Sequence, residues 1–342
     1  MATGMITDYS WGLKAEATYG TPVTVDRWNE FLNSSGMKYD PTRVQGQGLR
    51  VGSLVARSGR RVTPLVSGSG QYDTELVSKG LGTTLALAFG NGASTVVSGA
   101  TYQQLFTLEN TMYMPSATMQ YTVPSADASG TLVAHTANGV VIPSFEIDCP
   151  NGNIATLKCA LNARDVLTAT AYATPSYPAE PVSLFHFAQW SVGLGGAVTA
   201  PTTTALASGG TATTNIRSFN LKVDNNLDLG RNNGGGGGKK SAPTVGKRKI
   251  TGNITVEFNA TTLRDAFMAD TPLPLLLDFD TGVALSTGTE RLQIVLPEIK
   301  LDGELPPISD GVSLQSIDFE VLDNGVATQP IWLVIRTADT AL

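Results

Sequence analysis

The chain has 342 residues and a formal net charge of −6, and 15% of its residues are charged. This length allows one large domain or two ordinary ones with real hydrophobic cores, so folding needs neither a disulfide nor a metal. Abundant Thr, Gly, Ser, Val and Pro indicate a β-rich chain with many turns, and the net negative charge argues against a nucleic-acid binder that relies on bulk positive charge.

The N-terminal segment lacks the pattern of a secretory signal, because Asp8, Trp11 and Lys14 stand where an apolar core would have to be. The longest apolar run, residues 273–277, contains a proline and is far too short to cross a bilayer. We therefore expect a chain that is made in the cytoplasm and stays soluble until it meets a partner.

A predicted strand with an aromatic centre, RWNEFLNSS at residues 27–35, precedes a basic stretch at residues 38–61, here called the first basic arm. The arm contains a single acid, Asp40. It is either a solvated loop or a surface that contacts a partner. Its six bases are Lys38, Arg43, Arg50, Arg57, Arg60 and Arg61.

Residues 62–90 follow the arm and predict a strand, then an alternating strand that ends near Glu75. A short helical turn is expected within residues 74–85, although the glycines there weaken it. The apolar run after it predicts a strand that ends at Phe89.

The segment FEIDCPNGNIATLKCAL at residues 145–161 alternates apolar and polar residues on both sides of a turn, which predicts a hairpin with one buried face. In register, Cys149 lies opposite Ala155, and Cys159 lies opposite Phe145. The two cysteines are then not cross-strand partners, and we interpret them as small core residues rather than a disulfide or metal site.

Residues 171–214 indicate a linker or insertion, with the Pro-rich AYATPSYPAEP at its start and a Thr/Gly/Ala-rich stretch near its end. Another strand with an aromatic centre then leads to a second basic stretch, residues 231–249, here called the second basic arm. It contains five consecutive glycines, residues 234–238. Its six bases are Arg231, Lys239, Lys240, Lys247, Arg248 and Lys249.

The segment after the second basic arm, residues 249–280, repeats the order strand, alternating strand, helix and apolar strand. Its helix has Thr262 as N-cap, with Leu263 and Phe267 on one face. Aromatic residues in similar places recur at a spacing of about 180 residues, which supports an internal repeat. The sequence thus predicts a mainly β protein with two tandem domains, residues 1–170 and 215–342.

Outside the two arms, 11 bases stand against 28 acids. Basic arms on an acidic body suit contacts between copies of the same chain, because opposite potentials steer and orient association. Candidate acids for such contacts lie near the C-terminal end of the sequence. They are Asp302, Glu304, Asp310, Asp318, Glu320 and Asp323.

No enzyme signature is present in the sequence. The glycine run fails the spacing of a phosphate-binding loop, since Asn233 occupies the first glycine position and Lys240 the hydroxyl position. VGLGGAV, residues 192–198, lacks the last glycine of a dinucleotide fingerprint. His135 and His186 have no nearby residues at metal-ligand spacing. We expect no catalytic residues, cofactor or metal.

Four segments carry a resemblance to a known family. They are the E-x-x-Y-G-T-P start at residues 16–22, GLRVGSLVARSGRR at 48–61, GSGQYDTEL at 68–76 and TGNITVEFNATTLRDAFM at 251–268. In this order they resemble the tail tube (major tail) proteins of long-tailed, non-contractile bacteriophages.

The resemblance implies a β-sandwich with a short flanking helix. Together with the internal repeat and the basic arms, this predicts two tandem tail-tube-type β-sandwich domains, each with a short α-helix and a long basic hairpin arm. It implies that subunits close into rings and that rings stack head to tail into a hollow tube that conducts the genome during infection. Double-stranded DNA would pass the lumen without specific binding, and no membrane is involved. The implied partners are further copies, the tail terminator, the distal tail protein and the tape measure protein, in a virion tail assembled in the host cytoplasm.

If the chain holds two tube folds, three copies close a pseudo-sixfold ring, which we favour over a ring of six. The candidate acids would divide between the lumen and the surface that receives a neighbour's arm. We expect the second basic arm to be a mobile hairpin that contacts the next ring. Neutralising its five bases at residues 239–249 together should leave the fold intact and slow tube growth.

Three other functions remain open at the level of sequence. The same pattern fits the tube of a phage-tail-like bacteriocin. A β-rich adhesin or carbohydrate-binding protein is a second alternative. Such a protein should have clustered exposed aromatic residues, whereas the four tryptophans of this chain are widely scattered. A hydrolase with an unrecognised carboxylate pair is the third, and it requires a cleft with a perturbed acid.

Overall fold

A computed structural model describes residues 8–52, 54–124, 131–213, 215–258, 261–303 and 313–342. Its strands are β1 Ser10–Ala15, β2 Arg27–Trp28, β3 Gly36–Tyr39, β4 Thr42–Gln45, β5 Arg61–Leu65, β6 Gly68–Glu75, β7 Gly90–Ser98, β8 Thr101–Leu108, β9 Ala117–Pro124, β10 Leu132–Val140, β11 Ser144–Cys149, β12 Thr156–Ala163, β13 Asp165–Leu167, β14 Trp190–Leu194, β15 Val198–Thr199, β16 Ser208–Gly209, β17 Ala212–Thr213, β18 Ile216–Asp224, β19 Lys249–Glu257, β20 Leu273–Ala284, β21 Thr289–Gly303, β22 Leu314–Val321 and β23 Trp332–Thr337. The α-helices are α1 Gly82–Phe89 and α2 Thr262–Met268, and short 3-10 helices span Ser58–Arg60, Phe187–Gln189 and Gly234–Gly236.

Most strands belong to one fourteen-stranded antiparallel sheet that has two parts joined by the long strand β21. The first part, here called the shared sheet, has the order β3-β6-β12-β11-β18-β19-β22-β21. The second part has the order β17-β14-β20-β21-β23-β8-β7. Residues 291–295 of β21 pair with β23, and residues 299–303 pair with β22. The chain is therefore mainly β, as predicted.

The layers pack as a β-sandwich around aromatic side chains. A second, five-stranded sheet has the order β13-β10-β9-β1-β2. Trp11 of that sheet stacks on Tyr72 of the shared sheet, with ring centroids 5.3 Å apart. Phe89 of α1 lies between β8 and the shared sheet, 6.3 Å from Phe106 and 4.9 Å from Phe145. All five rings are buried, so one continuous apolar core holds the layers together.

Both halves of the chain contribute strands to the shared sheet. β11 pairs with β18 over six residue pairs, from Ser144 opposite Asp224 to Cys149 opposite Phe219. β23 likewise pairs with β8. Within residues 171–214, β14 pairs with β20 of the second half. Residues 1–170 and 215–342 are joined by backbone hydrogen bonds within one sheet. Their division into two domains with a linker between them stays a prediction.

The helix α1 corrects part of the prediction for residues 74–90. The run that ends at Phe89 is helical instead of a strand, and the helix begins at Gly82, later than the predicted turn. Leu85, Leu87 and Phe89 are all buried. A helix that is covered on several sides loses its polar face, so its sequence resembles a buried strand. The predicted second helix is confirmed as α2, but its N-cap is Thr261, and the predicted cap Thr262 is its first helical residue.

The predicted hairpin of residues 145–161 is confirmed as β11 and β12. Phe145 lies opposite Cys159, in the predicted register. Both cysteines are buried and free. Burial raises the pKa of the Cys149 thiol to about 12 and raises the pKa of the Cys159 thiol as well, so both thiols are protonated at neutral pH.

Candidate functional site

The first basic arm forms an exposed hairpin of strands β4 and β5 at one end of the shared sheet. Val44 lies opposite Val62, and the Gly46 N–H donates a 2.9 Å hydrogen bond to the Arg60 carbonyl. The Arg60 guanidinium donates to the Gly48 carbonyl at 3.2 Å. The hairpin is therefore ordered by its own contacts. Arg43, Arg50, Arg60 and Arg61 are exposed, and Arg57 is half-buried.

The tip of this arm also carries apolar side chains, which the sequence prediction missed. Leu49, Val51 and Leu54 are completely exposed, and Val55 is 80% exposed. Clustered exposed aliphatic side chains mark an interaction surface, because leaving them in water costs free energy that a partner can recover. The sequence signal is the segment LRVGSLVAR, in which four aliphatic residues stand within seven positions.

The second basic arm lies against the base of the first. Val66 and Lys239 form an isolated β-bridge, and the Val66 N–H donates to the Gly238 carbonyl at 3.1 Å. Gly238 has a φ of 78°, and a Cβ atom there would lie 2.0 Å from the Pro64 carbonyl oxygen. Only glycine fits this close approach. The glycine run thus has a packing role in the isolated chain.

Several bases of the second basic arm are occupied by partners in their own chain. The Lys239 Nζ lies 2.6 Å from a carboxylate oxygen of the buried Asp165. The Lys240 Nζ donates to the Asn162 side chain at 3.0 Å, and burial lowers the pKa of Lys240. The Arg231 guanidinium donates to the Ala242 carbonyl at 3.0 Å. Lys247 and Lys249 are exposed.

Arg248 joins the two halves of the chain. Its guanidinium donates to the Asn225 side-chain oxygen at 3.0 Å, to the Glu109 carbonyl and to the Met114 sulfur at 3.3 Å. Asn225 is fully buried and itself donates to carbonyls of the first half. We therefore expect joint neutralisation of residues 239–249 to destabilise the fold, because it leaves Asp165 and Asn225 without these partners. Substitution of the exposed Lys247 and Lys249 alone tests the role of the arm's charge in tube growth.

We expect Arg248→Ala to lower the free energy of unfolding by about 2–3 kcal/mol, because hydrogen bonds from a charged, partly buried donor are lost. Lys247→Ala is the matched control, and its exposed side chain predicts a change of less than about 0.5 kcal/mol. Denaturant unfolding of both variants measures the difference. Equal effects of the two substitutions would contradict a structural role for Arg248.

The predicted acids occupy several places. Asp302, Asp318 and Glu320 are exposed on the outer face of the shared sheet, and Asp323 is exposed just after β22. Glu304 and Asp310 lie outside the described residues.

A row of acids crosses the outer face of the shared sheet through both halves, here called the acidic row. Successive cross-strand partners form it, in the order Asp302, Asp318, Asn253, Asn220, Asp148, Thr156 and Glu75. Asp302 lies directly opposite Asp318, a like-charge pairing that disfavours the isolated sheet.

The neighbouring row is balanced. Lys300, Glu320, Thr251, Lys222, Glu146, Lys158 and Asp73 follow one another across the same strands. Three lysines therefore accompany three acids, and the Lys158 Nζ lies 3.6 Å from a Glu146 carboxylate oxygen. The excess negative charge of these two rows belongs to the acidic row.

Glu16, the first residue of the E-x-x-Y-G-T-P motif, organises the packing of the first half. One carboxylate oxygen accepts hydrogen bonds from the Thr118 hydroxyl and the Gly139 N–H, at 2.8 and 2.9 Å. The other accepts from the Ser116 hydroxyl and the Gly20 N–H, at 2.7 and 2.8 Å. The motif carries the resemblance, but the sequence did not predict this role.

These features define a β-sandwich protein whose notable surfaces are a basic hairpin and an acidic sheet face. Within the described residues, no helix is long and apolar enough to span a membrane. The family model described as phage tail tube protein matches residues 10–321. The chain therefore belongs to the phage tail tube protein family, a family of structural proteins of the virion tail. No match was found among curated proteins.

Proposed function

We propose that copies of this chain close into rings that stack into the hollow tail tube, and that the double-stranded DNA genome passes through this tube during infection. The observation that carries the proposal is the shared sheet, whose polar outer face continues across both halves of the chain. Such a face can form one segment of the inner wall of a ring, with the apolar core behind it.

We infer three copies per ring from the number of strands in this sheet. The shared sheet has eight strands, so three copies bring twenty-four to the wall. At a strand spacing of about 4.8 Å and a tilt of about 40°, a barrel of that many strands has a backbone diameter of about 50 Å. Barrels of 16–18 strands already leave an aqueous channel. A ring of six copies remains the alternative arrangement.

The acidic row suits a wall along which DNA slides. Phosphates bind wherever lysines and arginines displace their counterions, so a basic wall would retard the duplex. Asp302, Asp318, Asp148 and Glu75 instead repel phosphate, and the balanced row beside them adds no net charge. The unfavourable pairing of Asp302 with Asp318 is then a stability cost retained for the lumen.

The first basic arm contacts the next ring in the stack. It combines exposed arginines with four exposed aliphatic side chains and leaves the shared sheet at a single end. A repeated head-to-tail contact of this kind generates an open filament. Lys247 and Lys249 lie near the same end of the sheet and can add to the contact.

Assembly would take place in the host cytoplasm, and the ends of the tube would meet the tail terminator and distal tail proteins, with the tape measure protein in the lumen. A phage-tail-like bacteriocin would use the same tube without a genome. Packaged DNA in the parent particle distinguishes the two.

Negative-stain microscopy of the purified chain tests the proposal. We expect rings or hollow tubes, and native mass measurement of dissociated rings should give three chains of 35.8 kDa each. Six chains per ring would overturn the three-copy arrangement. A chain that stays monomeric at high concentration across several salt concentrations would overturn the tube itself.

The same tubes should fail to retain a duplex DNA fragment at low salt, where electrostatic binding is strongest. A matched variant, Asp302→Lys with Asp318→Lys, should retain the fragment and release it as salt rises. Retention by wild-type tubes would contradict a lumen lined by the acidic row.

A further inference from the structure

We propose that a cleft at the far end of strand β6 receives the tip of the first basic arm from a chain in the next ring. The proposal rests on the stacking of rings described above and names the surface on which the arm lands. The cleft lies between residues 74–81 of the first half and residues 177–184 of the segment that follows it, and it has a volume of about 170 Å³.

The arm and the cleft lie at opposite ends of the same strand. The arm leaves the sheet beside Gly68, the first residue of β6, which pairs with Tyr39. The cleft is reached at Glu75, the last residue of β6. At about 3.3 Å per residue, the eight residues of β6 separate the two by about 25 Å. This polarity is what a head-to-tail contact between stacked copies requires.

The cleft has apolar walls. Trp28 and Leu81 line it and are buried, and two further lining residues, Val77 and Leu184, form a β-bridge. Tyr177 and Leu184, also in the lining, are 46% and 37% exposed. A cavity of about 150 Å³ with aliphatic and aromatic walls binds a benzene-sized group. The cleft therefore has room for one large aliphatic side chain such as Leu49 or Leu54.

Its rim is acidic. Glu30 and Glu180 are exposed lining residues, and one Glu180 carboxylate oxygen accepts a 2.8 Å hydrogen bond from the Val182 N–H. Lys79 is the one base among the described lining residues, and its Nζ is held by the Ala179 and Pro181 carbonyls at 3.2 and 2.8 Å. The first basic arm contains no acid between residues 41 and 61. The charges of the two surfaces are therefore complementary, which favours their association over contacts between like ends.

A second cleft lies in the corresponding place of the second half, after β19 and beside α2. Glu257 is the one charged residue among the described residues that line it, and its carboxylate is already paired with Arg217. This cleft offers the arginines of an arm no unpaired carboxylate. The observations therefore favour the cleft at the end of β6 as the receptor.

Reversal of charge on each side tests the contact in the full-length chain. Glu30→Lys with Glu180→Lys in the cleft, and Arg50→Glu with Arg57→Glu in the arm, should each slow tube growth at least tenfold in light scattering. The quadruple variant, which carries all four substitutions, should recover a growth rate within about threefold of wild type. The matched control, Asp265→Lys with Asp270→Lys, makes the same charge change at two exposed acids of the second half and should grow like wild type.

The proposal is overturned if the cleft variant grows tubes at the wild-type rate. It is also overturned if the quadruple variant folds but grows no faster than either double variant. Both outcomes leave the proposed tube function intact. If the wild-type chain forms neither rings nor tubes, the proposed function itself is overturned. The docking of the arm in the cleft is then overturned with it.

Cross-linking gives a second measurement that does not depend on charge variants. Leu54→Cys and Leu184→Cys in one chain add two exposed thiols, while Cys149 and Cys159 are buried. A short bismaleimide should join chains into a ladder in tubes and leave dissociated rings unlinked. Tubes without a ladder overturn the proposal.

Discussion

Replacement of residues 47–59 in the first basic arm by an Asn-Gly turn is expected to abolish tube growth and leave the folded chain intact. The deletion removes the exposed aliphatic tip, Arg50 and Arg57, but keeps the pairing of β4 with β5 and the contact of Pro64 with Gly238. Each exposed leucine that a neighbour would bury contributes about 1.5–3 kcal/mol, so loss of the tip removes most of one contact between rings.

Light scattering and microscopy should show at least a hundredfold fewer tubes, with the unfolding temperature within about 2 °C of wild type. A variant of unchanged arm length, with Leu49, Val51, Leu54 and Val55 replaced by serine, separates apolar contact from charge. It should also fail to grow. Normal tubes from the shortened arm would show that rings stack through another surface.

Glu16→Ala is expected to give the largest loss of stability. The substitution leaves two backbone N–H groups and two hydroxyls without the carboxylate that accepts all four. Unsatisfied donors at a partly buried site predict a loss of about 3–5 kcal/mol in the free energy of unfolding. For a chain of this size, that corresponds to a fall of about 4–7 °C in the unfolding temperature.

Glu16→Gln should lie between wild type and Glu16→Ala, because its amide keeps one oxygen acceptor and places an NH2 group against the other pair of donors. Glu320→Ala is the control for loss of an exposed glutamate, with an expected change below about 0.5 kcal/mol. Calorimetry of the three variants checks this order. Equal stability of Glu16→Ala and Glu320→Ala would contradict the role of the Glu16 network.

The sequence predicted the elements whose signal is local. Period-two alternation in residues 145–161 predicted both the hairpin and its register, because one face is buried and the other is wet. It failed for α1, since burial of Leu85, Leu87 and Phe89 removes the polar stripe that distinguishes a helix from a strand. The hydrophobic periodicity of a segment therefore depends on which of its faces are buried as well as on its secondary structure.

Features that depend on distant partners could not be predicted. Lys239 and Arg248 looked like free bases of an arm, yet their partners Asp165 and Glu109 are far away in the sequence. The acidic row has the same origin, because its members meet only once β11 has paired with β18. Charge counted along a chain therefore identifies candidate surfaces, whereas the sheet decides which charges remain available.

The position of β23 has a consequence for synthesis. This strand lies between β8, made early, and β21, made late, so the second part of the large sheet closes only after residue 337 has left the ribosome. Such long-range pairing is slow, and until then β8 and β21 each present an open edge that can aggregate. Nascent chains thus pass through a vulnerable interval, during which a chaperone that covers strand edges would raise the yield of assembly-competent protein.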